Sequence, residues 1–317
     1  LQAFCETMLL EKVVPASLTS LHGQFAKWFS EEQSKESLIS GNEFNVLFPS
    51  VRFCIETAVL NALGDATSSR NPIDVVDSKN KKIVSVNCLF DPDLTKTDEE
   101  NAEQLRALFQ ENPYKCVKVK VGRDENVLRD ASRLKAFRKI LGADVEIRAD
   151  ANRAWSLKES IVFGKELERL QDVNLQFIEE PTKSEKDLEE FFLNTNIFYA
   201  LDETVDLFIR GNPSGDIASS FYKSVLRNRL GCAAVILKPS VVGGVEITRD
   251  LCETIVDLSN AVPIISSAFD SPVSMTMNAK IAETLLPEND GAKISTTTIT
   301  SHGLDTGRWF ANGNLNA

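Results

Sequence analysis

Three acidic residues close successive apolar runs of the chain: Asp150 in RADANRAW, Glu179 in FIEEP and Asp202 in ALDE. One acidic residue at a strand end means little, because carboxylates commonly begin turns. Three that converge from neighbouring strands are costly unless a cation compensates their charge. The set offers only hard oxygen donors, so the expected cation is Mg²⁺, with Mn²⁺ as the alternative, rather than zinc. Lysines flank the acids on both sides. Lys118 and Lys120 in KVKVG are two apart and share one strand face, and Lys238 follows in VILKPS. A lysine beside a divalent cation is disfavoured as an ammonium, which brings it toward a working base. Such a base would take a proton from a carbon whose carbanion the metal stabilises.

The elements that must present these groups announce themselves by alternation. From about Lys82, short β-rich runs (KIVSVNCLF, KCVKVKV, DVEIRAD, LQFIEEP, IFYALDE, AAVILKPS, VPIISSAFD) take turns with helical stretches. The polar residues ending six of them are Lys120, Asp150, Glu179, Asp202, Lys238 and Ser266, at intervals of 30, 29, 23, 36 and 28 residues. This pattern predicts βα units on a parallel sheet, and a (β/α) barrel gathers its strand ends at one mouth, where active sites sit. A doubly wound open sheet is the rival, but neither GxGxxG nor GxxxxGK[ST] occurs. Residues 1–80 read as mostly helical. Ser50 is expected to cap a helix carrying Phe53, Thr57, Leu60 and Leu63, which ends near Gly64 before the turn-rich TSSRNP. Thr97-Asp98-Glu99-Glu100 reads as a capping box opening the next helix.

Composition narrows the partners. Lys and Arg number 35 against 46 Asp and Glu, a net charge of −11, which argues against nucleic acid and against an anionic membrane surface. No apolar run approaches the ~18 residues of a membrane-spanning helix. The cysteines (Cys5, Cys54, Cys88, Cys116, Cys232, Cys252) form no CxxC and read as free thiols of a reducing compartment. The histidines are His22 and His302, too few for His-rich metal sites. The chain opens at Leu1, in mid-pattern and without a signal sequence, and so reads as a piece of a longer polypeptide.

In their order and spacing, KVKVG, RADANRAW, FIEEP, LDE and LKPS resemble the motifs of the enolase superfamily. Within it, DANRAW, LKP, Gly243-Gly244 and SSAFDS most resemble o-succinylbenzoate synthase, over about Phe48 to Thr306. The fragment character and the cysteines are similar to the synthase domain of a plant fused phylloquinone-biosynthesis protein. The resemblance implies an α/β fold: a modified TIM barrel of (β/α)7β type over residues 81–300, with a partial, N-terminally truncated α+β capping domain over 1–80. A C-terminal segment, 301–317, would return to the cap.

It implies further that Asp150, Glu179 and Asp202 bind Mg²⁺, with Glu180 and Glu203 as supporting carboxylates. Lys120 would be the base, Lys118 would tune its charge, and Lys238 would stabilise the enediolate from the opposite side. Arg148, Asn152, Gly243 and Ser266 would lie near a small-molecule carboxylate substrate. The implied reaction is dehydration of 2-succinyl-6-hydroxy-2,4-cyclohexadiene-1-carboxylate to o-succinylbenzoate in phylloquinone or menaquinone biosynthesis. The implied address is the chloroplast, and the implied partners are other domains of a fused polypeptide. An N-acylamino acid racemase or dipeptide epimerase would use the same residues, and a non-catalytic remnant domain is the third reading. Trp155 reads as packing, and His302 as part of a late loop at the mouth.

Overall fold

A computed structural model describes residues 48–67, 83–112, 114–212, 216–285 and 301–307. The expectations for residues 1–47, for the turn-rich break after Thr67 and for the last ten residues lie outside them. Helix α1 (Pro49–Thr67) comes first, then the short strands β1 (Ser85–Val86) and β2 (Cys88–Phe90). Alternation then sets in: α2 (Asp98–Glu111), β3 (Cys116–Lys120), α3 (Val127–Leu141), β4 (Glu146–Asp150), α4 (Leu157–Leu170), β5 (Leu175–Glu179), α5 (Leu188–Thr195) and β6 (Tyr199–Leu201). It continues with α6 (Glu203–Gly211), α7 (Ile217–Phe221), β7 (Cys232–Leu237), α8 (Pro239–Val242), α9 (Val245–Leu258), β8 (Val262–Ile265), α10 (Pro272–Thr284) and β9 (Ser301–His302).

Strands β2 to β8 form one parallel sheet in chain order. The segment Ser301–Gly303 joins its two edges. β9 pairs with β1, the Asn87 N–H donates to the His302 carbonyl, Gly303 N–H donates to the Ile265 carbonyl, and Ser266 bridges Gly303. The ring is thus a (β/α)7β barrel, as expected, and its closing strand lies beyond the expected boundary at residue 300. Across the same seam the Ile265 N–H donates to His302 Nδ1, so an imidazole takes the place of a backbone acceptor. Burial, with a smaller push from Arg148, brings the His302 imidazole down to about 4. His302 therefore belongs to the barrel wall.

Side chains alternate between the two faces of each strand. Phe177, Ala200, Ala234, Ile236 and Ile264 form a small apolar cluster of their own, inside the ring. Their neighbours of opposite parity, among them Val119, Ala149, Ile178, Leu201, Val235 and Ile265, belong to the larger core that packs the helices onto the barrel. Lys118, Lys120, Asp150, Glu179, Asp202, Lys238 and Ser266 all carry the inward parity; Lys118 is level with Phe177 through Arg148, and the others stand one step beyond the inner cluster.

Local signals account for most helix starts. Thr97 and Glu100 form the expected capping box on α2, and Ser156 and Glu159 form another on α4. Helix α1 departs from expectation at both ends. The Phe48 carbonyl accepts the N–H groups of Val51 and Arg52, so Ser50 lies within the first turn. The helix also runs through Gly64 to Thr67. A mid-helix glycine costs only about 1 kcal/mol, less than burial of Phe53 and Ile55 on this helix gains.

Candidate active site

The three acids meet at the mouth as the parity requires. Asp150 and Glu179 are the last residues of β4 and β5, in register with each other, and Asp202 directly follows β6. All three are buried, at 1%, 2% and 3% exposure. Lys118 bridges two of them, with Nζ 3.2 Å from Asp150 Oδ2 and 3.0 Å from Glu179 Oε2. Lys120, one step nearer the rim, donates to Asp150 Oδ2 and to Asn152 Oδ1, each at 2.7 Å. Lys238 approaches from β7, four strands from β3 in the ring and hence across the mouth. Its Nζ is 2.5 Å from Asp202 Oδ1 and 3.6 Å from Asp206 Oδ2.

This crowding of opposite charges sets the protonation behaviour. Burial, followed by the charges of Asp150 and Asp202, pushes the Glu179 carboxyl up to about 7 even though Lys118 pulls it down. Burial also disfavours the Asp150 carboxylate, but Lys118 and Lys120 together hold it well below the usual range. Burial lowers the Lys118 and Lys238 ammoniums less than the carboxylates raise them: Glu179, Asp150 and Asp202 for Lys118, and Asp202 and Asp206 for Lys238. Both end up above their ordinary values. The downward shift expected for a lysine beside a divalent cation is thus reversed where carboxylates are the neighbours.

Behind the acids, Glu180 organises the backbone. Its Oε1 accepts the Asp202 N–H at 3.0 Å and the Thr204 N–H at 2.8 Å, while its Oε2 accepts from Arg153 Nε at 3.1 Å. Asn152 Nδ2 donates to Glu203 Oε1 at 2.9 Å. The other Glu203 oxygen, Oε2, is buried without a hydrogen-bond partner. Burial first, then Asp202, raises the Glu203 carboxyl. Asn152, Arg153 and Glu180 have φ of 44°, 60° and 37°, a left-handed conformation that is strained for non-glycine residues. Such strain persists where surrounding bonds over-determine it, and Arg153 N–H to the Glu180 carbonyl at 2.9 Å is one of those bonds.

A hard divalent cation suits this donor set: three buried carboxylates, a raised Glu179 and an orphaned Glu203 oxygen are what such an ion would relieve. Among the described residues no three acidic, His or Cys side chains are already drawn round one point, because the lysine ammoniums lie between the carboxylates. The residues fit Mg²⁺ by chemistry and burial.

The other expected residues take separate positions. Arg148 shares the parity of Asp150 but lies one layer deeper, at 1% exposure. It donates to Gln176 Oε1 at 2.6 Å and to the Ser301 carbonyl at 2.8 Å, over the Phe177 ring. Ser266 Oγ donates to the Gly303 carbonyl at 3.2 Å, at the seam. Gly243, at φ 111°, ends α8 and faces Arg52 of α1. Trp155 is 3% exposed and packs on Phe163, with ring centroids 4.6 Å apart. Sequence reasoning missed Arg153 and Asp206. The second had a signal: Asp202 and Asp206 lie four apart, one helical turn, on the element that starts at the third acid.

Residues 100–205 match the family model "Enolase C-terminal domain-like". The chain is 31% identical over 309 residues to the Arabidopsis thaliana protein PHYLLO, chloroplastic, covering 93% of this chain and 16% of that protein. It is 30% identical over 200 residues to an o-succinylbenzoate synthase of Vibrio cholerae, covering 63% of this chain and 54% of the relative. The chain thus spans about half the length of that synthase and a small part of PHYLLO. Among solved structures, the dipeptide epimerase from Enterococcus faecalis V583, complexed with Mg and the dipeptide L-Leu-L-Tyr, superposes with a TM-score of 0.58 at 17% identity. That match covers 82% of this chain and 64% of the other. The matched segment runs from α2 past the third acid, and with the sequence relatives it identifies residues 100–205 as an enolase C-terminal domain-like segment.

Proposed function

We propose that this chain is a Mg²⁺-dependent o-succinylbenzoate synthase, removing water from 2-succinyl-6-hydroxy-2,4-cyclohexadiene-1-carboxylate. The observation that carries the reading is the placement of Lys120 and Lys238 on opposite sides of three buried carboxylates. The synthase relative and PHYLLO support the choice of reaction. Asp150, Glu179 and Asp202 would hold the metal. Bound there, Mg²⁺ supplies positive charge for a substrate carboxylate whose α-carbon is losing a proton.

Lys120, nearest the rim of its strand, takes the α-proton as a neutral amine. Lys118, held between Asp150 and Glu179, keeps a second positive charge beside it. Lys238 remains an ammonium on the other face and opposes the negative charge of the enediolate. The proton now on Lys120 passes to the departing hydroxyl on the same face. The carbon–oxygen bond breaks, water leaves and the ring becomes aromatic. By the same support the chain would be a domain of a longer fused chloroplast polypeptide acting in phylloquinone biosynthesis.

A racemase or epimerase is the second reading, favoured by the same two-sided lysines: each would exchange a proton on its own face of the α-carbon. The test is incubation of the chain with Mg²⁺ and the cyclohexadiene, followed by aromatic absorbance. Its growth supports the synthase. No growth, together with rapid α-proton exchange of both N-acylamino acid enantiomers in heavy water, overturns it in favour of the racemase.

A further inference from the structure

Helix α9 begins without a cap of its own. Its N-cap residue is Gly244, which has no side chain to accept from the exposed N–H groups of the first turn. The acceptor comes instead from α1, far away in sequence. Glu56 Oε2 receives the N–H of Val245 in a very short bond and that of Glu246 at 3.3 Å. A carboxylate suits this place, because the helix N-terminus carries partial positive charge.

The arrangement is built on both sides. Arg52 and Glu56 are one turn apart on α1, each 6% exposed, and both face the Gly243-Gly244 turn. Gly244 has φ 137°, and a Cβ there would stand 2.4 Å from Glu56 Oε2, so only glycine lets the carboxylate approach. Burial pushes the Glu56 carboxyl up, and the Val245 and Glu246 bonds and the charge of Arg52 pull it back. A buried carboxylate is expensive, and it is held here by specific partners.

The turn that Glu56 grips is the one that follows Lys238. Lys238 is the N-cap of α8, and its carbonyl accepts from Val241 at 2.8 Å and Val242 at 2.9 Å. The Pro239 carbonyl in turn accepts from Gly243 at 3.1 Å and Gly244 at 3.0 Å. Lys238 to Gly244 is therefore one continuous hydrogen-bonded unit, and a shift at Gly244 moves the backbone that carries Lys238.

We infer that Glu56 is a positioning residue: from α1 it caps α9, fixes the Gly243-Gly244 turn and thereby seats Lys238 at the mouth. The catalytic importance of that seating rests on the role proposed above for Lys238, but the seating itself can be measured without turnover. Competitive labelling of lysines by an amine reagent, read by mass spectrometry, gives the reactivity of Lys238 relative to surface lysines in the full chain. Amide exchange reports the Val245 and Glu246 bonds.

In Glu56→Ala, exchange at these two amides should rise about tenfold or more, as loss of a charge-assisted bond implies, with strands β4 and β5 unchanged. Relative labelling of Lys238 should change several-fold, while Glu56→Gln, which keeps an acceptor oxygen, should restore most of the wild-type pattern. On whichever substrate wild type turns over, Glu56→Ala should lower kcat about tenfold with Mg²⁺ affinity unchanged. Unaltered Lys238 labelling in Glu56→Ala overturns the inference, as does a change spread equally over all lysines. Wild type that turns over neither substrate would sink the proposed function alone, since the labelling still decides the positioning.

Discussion

The buried Glu179 makes the stability of the metal-free chain depend on pH in a direction opposite to that of most carboxylates. Its carboxyl is raised from an ordinary 4.5 to about 7, by burial above all and then by Asp150 and Asp202. Between those values the folded chain holds a proton that the unfolded chain releases, so stability is greatest below the lower value and falls as pH rises through the upper one. A rise from about 4.5 to about 7 corresponds to roughly 3 kcal/mol lost across the window. Asp150 is held down by its lysines, so its linkage acts only below its ordinary 3.8, outside the window. The raised ammoniums of Lys118 and Lys238 act above their ordinary 10.5.

The assay is urea unfolding of the chelated chain at steps from about pH 4.5 to 8, with Glu179→Gln measured alongside. Relative to the Gln variant, wild type should lose stability with rising pH, while the lowered His302 imidazole adds an upward slope between about 4 and 6.5 to both profiles. Added Mg²⁺ should oppose the fall, because only the deprotonated carboxylate binds it. A wild-type profile that runs parallel to that of the variant, or that climbs relative to it, refutes the reasoning.

Chelation by EDTA should abolish turnover, and Mg²⁺ or Mn²⁺ should restore it; full activity in a metal-free sample would contradict the proposed site. Lys120→Ala should cost at least ~10²–10⁴-fold in turnover while Mg²⁺ affinity measured by calorimetry persists. Lys238→Arg keeps a cation of different shape, so a dehydratase should retain partial activity and a racemase none, which steady-state kinetics on both substrates would separate. Gly122→Ala places a Cβ 2.6 Å from that of Ala154 at a φ of 79°, and thermal unfolding should report a loss of about 2–4 kcal/mol. An unchanged midpoint would show that the loop after β3 is not pinned against the one after β4.

Where the residues that matter obey a period of two, the sequence was informative. Lys118 with Lys120 and Arg148 with Asp150 alternate with apolar residues of the outer core, so the strand ends could be read as one mouth. Glu180 and Glu203 were found only through the resemblance, since neither spacing nor pattern reveals that Glu180 caps the turn holding Asp202. The left-handed backbone at Asn152 and Arg153 leaves no compositional trace, because neither residue is glycine. The closing strand was missed for a physical reason: it is two residues long and partly replaced by an imidazole, so it has no hydrophobic pattern to read.

Glu56 was hidden for a different reason. Its partner is a backbone N–H 189 residues away, and any residue can supply a backbone N–H. The one local trace was Gly243-Gly244, which resembled part of a substrate site and which the structure shows also facing Arg52 and Glu56 of α1. Glycine there removes the Cβ that would exclude the carboxylate, so the sequence recorded the need for close approach without naming what approaches. A side chain that must reach reacting atoms is confined to a strand end and a residue type, and spacing can recover it. A side chain that holds backbone is confined only by distance, and that appears when the chain is folded.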